Sequence, residues 1–184
     1  MSVSVLVPIA NGTEEIEAVI IIDMLRRAGI TVSVAGDGDM VTCARGTRMV
    51  PDQNLDDVDD DDWFDAVVVP GGSQGVSNLI NNESLSRILK RHRKKKILIG
   101  AICAAPRLLH EFKLLRKGAV ITSHPSTAQD LSVYAYSLER VVEDDDIITS
   151  RGAGTAFEFA LTLIQRLTDD ATATRVATDI VLYE

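Results

Sequence analysis

Long hydrophobic runs are missing from this 184-residue chain. The longest unbroken aliphatic stretch, Ala18–Ile22, stops at Asp23, far too short to cross a bilayer. The apolar run Val3–Ala10 has no basic flank, so it reads as a first strand and not as a signal peptide. Cysteine is scarce as well. Cys43 and Cys103 cannot form a disulfide framework, and two unpaired thiols without an export signal imply a reducing, cytoplasmic setting. There is no basic excess: the net charge of −8 argues against a general nucleic-acid binder. Only His92, His110 and His124 are present and no Cys/His pair is closely spaced, which speaks against a metal centre. No repeat or linker divides the chain.

What remains is a hydrophobic content of 46% and a charged content of 25%, which excludes disorder. A chain of this length buries roughly 70% of its unfolded surface and needs no staples. One domain spanning 1–184 is expected.

Short β-branched runs alternate with helical segments throughout. Strands are expected at Val3–Ile9, Thr31–Ala35, Val41–Ala44, Arg48–Val50, Ala66–Val69, Ile97–Ile99 and Ala119–Thr122, and in a hairpin of Val141–Val142 with Ile147–Thr149. Helices are expected from a Thr13 cap to Gly29, and at Ser84–Lys95, Ala104–Leu115, Thr155–Leu167 and Ala171–Leu182. Several strands are apolar on both faces, so the class is α/β, a mostly parallel sheet covered by helices on both sides. Two charge clusters interrupt the pattern. Leu55–Asp62 (LDDVDDDD) reads as a solvated loop, and Lys90–Lys96 (KRHRKKK) as a helix end whose cations complement the dipole.

In a parallel sheet, ligands bind beyond the carboxyl ends of the strands. Three such ends carry unusual residues. In Gly100–Pro106, small residues flank Cys103 and permit a tight strand-to-helix turn. A thiol at a helix start has its thiolate stabilised, although an inert core cysteine fits the same residues. Glu17 lies on a helical stripe with Ile20, Ile21, Met24 and Ala28, where a carboxylate is out of place. Desolvation there raises its pKa and lets it handle protons, whereas Glu14 and Glu15 serve the helix dipole. The same helix is apolar around most of its circumference, which suggests a subunit interface. Gly71–Gly75 formally matches G-x-S-x-G, but Pro70 precedes it and the chain is short for that fold, so it reads better as a turn offering N–H donors to an oxyanion. Dinucleotide binding fails because acids fill the first loop and Phe157 stands where a third glycine should follow Gly152 and Gly154.

Taken together, Asn11–Glu17 (NGTEEIE), Val67–Gly72 (VVVPGG), Ala101–Pro106 (AICAAP), His124-Pro125 and Ser150–Phe159 (SRGAGTAFEF) resemble the ThiJ/PfpI superfamily. The similarity is to its DJ-one branch, that of the Parkinsonism-associated deglycase and its bacterial relatives. The resemblance implies a flavodoxin-like three-layer sandwich and a homodimer packed partly through the first helix. It implies Cys103 as nucleophile, Glu17 as the protonated carboxyl beside its sulfur, and His124 as a nearby polar partner. Gly72 and Ala104 would offer backbone N–H groups to an oxyanion. Arg45 and Arg151 align with arginines at the pocket mouth, Arg45 being supplied by the partner subunit. Ala104 stands where peptidase-like branches carry a histidine, which lowers that reading. Val50 replaces an interface cysteine of some relatives, and Cys43 matches a strand thiol of minor consequence. The implied activity is cofactor-free processing of 2-oxoaldehydes, methylglyoxal to lactate, of glyoxalase or deglycase type. The alternative is a redox sensor or redox-activated chaperone acting through oxidation of Cys103. No metal, organic cofactor, membrane or nucleic-acid partner is implied.

Overall fold

Valine- and isoleucine-rich strands, each too short to span more than the core, build the frame of the molecule. A computed structural model describes residues 3–182. In chain order the elements are β1 (Ser4–Ile9), α1 (Glu15–Arg27), β2 (Thr31–Gly36), β3 (Val41–Thr42), β4 (Arg48–Met49), β5 (Gln53–Asn54) and β6 (Ala66–Val69). There follow α2 (Ser73–Ile80), α3 (Glu83–Lys94), β7 (Leu98–Ile102), α4 (Pro106–Glu111), β8 (Val120–Ile121) and β9 (Ala135–Tyr136). The chain closes with β10 (Val141–Asp144), β11 (Ile147–Ser150), α5 (Ala156–Leu167) and α6 (Asp170–Asp179).

The main sheet has seven strands in the order β10-β11-β7-β6-β1-β2-β5. Every pairing is parallel except β10 with β11. Side chains alternate across it. Val5, Val7 and Ile9 of β1 meet Ile21 and Leu25 of α1, Phe159 of α5 and Val176 of α6 on one face. Leu6 of β1 and Val67 and Val69 of β6 meet Leu79 of α2, Ile88 of α3 and Leu108 of α4 on the other. Helices therefore cover both faces, as expected for the α/β class.

Successive strands leave β1 in opposite directions, β2 and β5 to one side, β6, β7 and β11 to the other. The crevice between β1 and β6 is thus a topological switch point, and loops at the carboxyl ends of β1, β6 and β7 converge beyond it.

Several local expectations change. Thr13 does not cap α1; its Oγ1 accepts the N–H of Ala10 at 3.0 Å, and Glu14 takes the capping position without a side-chain bond. β7 runs to Ile102, and α4 begins at Pro106 and ends at Glu111, shorter than the expected Ala104–Leu115. β8 pairs with β9 in a separate small sheet. The two charge clusters meet each other. Arg87 Nε lies 2.7 Å from Asp60 Oδ1, Arg91 Nη2 donates to the Asp59 carbonyl at 3.0 Å, and Lys95 Nζ sits 3.6 Å from the centre of the Trp63 ring. The acidic loop is therefore a strap along α3 instead of a free loop. No helix among the described residues is long and apolar enough to cross a membrane.

Candidate active site

The strand β7 ends in Gly100-Ala101-Ile102, and the next residue turns sharply. Cys103 has φ of +64°, the left-handed region that a side-chain-bearing residue enters at a cost of about 1–3 kcal/mol. Neighbours hold it there from both sides. Its N–H donates to the Ser150 carbonyl at 2.9 Å, and its own carbonyl accepts the His124 N–H at 2.8 Å. β11 and the segment after β8 thereby fix the turn that presents the sulfur to the switch point.

Glu17 arrives from the first turn of α1 and is fully buried. Its Oε2 accepts the N–H of Gly71 at 2.7 Å, while Oε1 has no hydrogen-bond partner among the described residues. The loop after β6 must be glycine to allow this approach. A methyl at Gly71 would stand 2.5 Å from Cys103 Cβ and 2.6 Å from Glu17 Oε2. At Gly72 (φ +93°) it would stand 2.3 Å from the Gly12 carbonyl oxygen. One point beside Gly152, where a methyl carbon would sit, is 3.9 Å from Cys103 Sγ, 4.0 Å from Glu17 Oε1 and 3.6 Å from His124 Cδ2. Three side chains from α1, the end of β7 and the β8–β9 segment surround that point.

Burial pushes the Glu17 carboxyl up to about 7, against the opposing pull of the Gly71 N–H and the Cys103 thiol, with the Glu14 charge adding to the rise. Burial likewise pushes the Cys103 thiol up to about 12, reinforced by the charge of Glu17 and opposed by the N–H groups of Gly72 and Ala104. The expectation that a helix start alone lowers this thiol is therefore corrected: α4 begins three residues later, and desolvation outweighs the two N–H groups. An ionised Glu17 holds the thiol protonated, and a protonated Glu17 lifts that restraint. The two groups share a site, so the proton lost near neutrality belongs to the pair. Its charge sits either on the carboxylate or, with the proton on Glu17, on the sulfur.

His124 Nδ1 lies 2.7 Å from Ser126 Oγ and accepts the Ser126 N–H at 3.2 Å, which leaves Nε2 to carry the proton of the neutral ring. A cleft of about 550 Å³ opens over the sulfur, lined by Gly72, Ala104, His124, Glu14 and the segment Thr42–Arg45. Arg45 lines it from its own chain, on the β3–β4 hairpin, where the resemblance implied the partner's arginine. Arg151 is half-buried, and its Nη1 donates to the Leu138 carbonyl at 3.0 Å; it does not line the cleft. Cys43 is buried, and burial with the charges of Glu15 and Glu14 raises its thiol. Among the described residues no three His, Cys, Asp or Glu side chains gather as a metal-binding group.

Glu15 does not line the cleft, but it bonds the segment that does, which the helix-dipole reading overlooks. It is buried, and its carboxylate accepts backbone N–H groups of Arg45 and Thr47. A signal for its burial is present in the sequence: positions 15, 18, 22 and 25 form one helical stripe, and Ala18, Ile22 and Leu25 are all buried.

A model described as the DJ-1/PfpI family matches residues 3–166. The sequence is 40% identical over 184 residues to the Parkinson disease protein 7 homolog of Danio rerio, covering 97% of each chain. It is 39% identical over 160 residues to a Caenorhabditis elegans protein named glutathione-independent glyoxalase DJR-1.2, covering 85% of this chain and 84% of that one. The backbone matches the crystal structure of Drosophila melanogaster DJ-1beta with a TM-score of 0.95 at 39% identity, over the whole of both chains.

Proposed function

The chain belongs to the DJ-1/PfpI family, and from that premise we propose that it converts 2-oxoaldehydes such as methylglyoxal, free or as early adducts, to 2-hydroxy acids without a cofactor. The observation that carries this reading is the unpartnered, buried Oε1 of Glu17 beside Cys103. An ionised oxygen buried without a donor is costly; a protonated one has a use. The C. elegans relative named a glutathione-independent glyoxalase adds support.

The Cys103 thiolate adds to the aldehyde carbon, C1, and the new oxyanion faces the N–H groups of Gly72 and Ala104. Glu17 gives that oxygen its proton, forming a hemithioacetal. The Glu17 carboxylate then removes the proton from C1 and passes it to the neighbouring ketone oxygen, giving an enediol. A proton is then delivered to C2 as the C1 hydroxyl gives up its own to the carboxylate, which leaves a thioester that water cleaves to lactate and free thiol. Methylglyoxal plus water equals lactic acid, so no oxidant or reductant is required. His124 offers its Nε2 proton at the cleft mouth, and Arg45 supplies positive charge there.

The chain acts as a homodimer through α1, whose Ile16 and Val19 remain half exposed, and in a reducing cytoplasmic compartment that keeps both thiols free. The test is lactate formation from methylglyoxal by the wild type, Cys103→Ser and Glu17→Gln, with buffer-amine and thiol controls. Loss of turnover in the first variant and a severe fall in the second support the reading; wild-type turnover in both ends it.

A second reading, redox sensing, is favoured by the same donors. Two equivalents of peroxide convert the thiolate to sulfinate and two waters, and a protonated Glu17 would hold a sulfinate oxygen. Intact mass after graded peroxide separates the cases: two oxygens on Cys103 alone support sensing, and equal oxidation of Cys43 opposes it.

A further inference from the structure

The outer wall of the cleft is a hairpin that belongs to no part of the main sheet. Among the described residues β3 and β4 pair only with each other, and Cys43–Thr47 form the turn between them. Backbone bonds tie its near end to the loop after β1: Gly12 N–H to the Thr42 carbonyl at 2.9 Å, and Ala44 N–H to the Thr13 carbonyl at 2.8 Å. Asn11 Oδ1 accepts the Thr42 N–H at 2.9 Å. The far end of the turn is held differently. Arg45 N–H donates to Glu15 Oε1 and Oε2 at 3.0 and 3.1 Å, and Thr47 N–H reaches Oε1 at 3.4 Å. One carboxylate on α1 thus spans the turn that carries Arg45. Hydrogen bonds to an ionised acceptor are roughly twice as strong as neutral ones.

We propose that Glu15 is a positioning residue of this site: it holds the Arg45–Thr47 turn as the wall against which substrate is captured, while Glu17, two residues on, handles the protons. This rests on the oxoaldehyde reading above for its substrate, but not for its geometry. The two acids are driven in opposite directions by their surroundings, a pattern that separates roles within one site. Burial alone would raise Glu15, yet the N–H groups of its own backbone, Arg45 and Thr47 outweigh it and hold the carboxyl below its usual range. Glu15 stays ionised and clamps; Glu17 stays close to its proton and exchanges it.

The test uses the full chain with Glu15→Ala, Glu15→Gln and Glu15→Asp, and three readouts. Amide hydrogen exchange is followed at Arg45 and Thr47, with Ala44, which bonds Thr13 instead, as internal control. Steady-state kinetics on methylglyoxal separate KM from kcat. Alkylation of Cys103 by iodoacetamide is followed against pH. In Glu15→Ala, exchange at Arg45 and Thr47 should accelerate roughly 100-fold while Ala44 changes far less. KM should rise roughly tenfold with kcat within about twofold, and the alkylation midpoint should not move. Glu15→Gln keeps one acceptor oxygen and Glu15→Asp keeps the charge on a shorter stem, so both should fall between Ala and wild type. Unchanged exchange at Arg45 and Thr47 overturns the proposal, as does a fall in kcat at constant KM or a shifted alkylation midpoint. If the wild type forms no lactate, the oxoaldehyde reading fails by itself, and the exchange readout still decides for or against the clamp.

Discussion

The N–H of Gly71 meets Glu17 Oε2 at 2.7 Å, and this close approach exists only because Gly71 has no side chain. The bond fixes which carboxyl oxygen is satisfied and leaves the other beside the sulfur. A glycine in one loop therefore decides which oxygen of an acid on a helix is left facing the sulfur.

Gly71→Ala tests that dependence. A methyl there would overlap both Cys103 Cβ and Glu17 Oε2, so the loop must move away from both. We expect kcat/KM for lactate formation to fall at least about 100-fold, since misplacing reacting groups by about 1 Å costs that much. Thermal unfolding of the same variant is the companion measurement; overpacking should cost about 1–3 kcal/mol, leaving a folded protein.

Stability against pH reports on Glu17 independently of any substrate. Its folded pKa is raised from 4.5 to about 7, so the native state holds a proton that the unfolded chain releases. Stability from this group is highest below pH 4.5 and falls as pH rises towards 7. Glu17→Gln keeps an oxygen for Gly71 and removes the titration. Relative to wild type, the variant should gain stability between pH 5 and pH 8, by at most about 3 kcal/mol, because each pH unit between the folded and unfolded values is worth ~1.4 kcal/mol. Urea unfolding at both pH values measures it; a gap independent of pH counts against a buried carboxyl near neutrality.

Backbone strain at Cys103 makes a third expectation. At φ of +64° glycine is at ease and alanine is not. Cys103→Gly should be more stable than Cys103→Ala by about 1 kcal/mol, although glycine ordinarily weakens a protein. Denaturant midpoints of the two variants decide it, and the reverse order would mean that the turn relaxes when the thiol is gone.

The frame is legible in the sequence because its signals are local. The VVV run of β6 is apolar on both faces, and turn residues such as Gly29 and Pro70-Gly71-Gly72 punctuate the βαβ rhythm. Elements that depend on distant partners are not legible in this way. α2 begins in Ser73-Gln74-Gly75 with no side-chain cap, and it exists because Val76 and Leu79 dock into the core. β5 is a two-residue edge strand defined by β2. At the site, the out-of-place carboxylate and the small-residue turn point to Glu17 and Cys103 from sequence alone. Glu15 falls on a helical stripe of buried positions, yet what it does stays hidden because its partners are backbone amides 30 and 32 positions away. The thiol's electrostatics escape the sequence for a related reason: the desolvation that outweighs the N–H groups comes from the whole fold.

Cys103 and Glu17 are expected to lose one proton between them near neutrality, and the pair to set the reactivity of the sulfur. The most direct measurement is the rate of Cys103 alkylation by iodoacetamide from pH 5 to pH 10, in a Cys43→Ser background, with and without Glu17→Gln. With Glu17 present, a single rising limb centred near 7 is expected, since the reactive species grows in step with the singly deprotonated pair whichever atom holds its charge. With glutamine in its place there is no shared proton to lose, and the limb should move upward by at least about one pH unit. Identical midpoints in the two proteins would contradict the account, because the sulfur would then be ionising without reference to its neighbour.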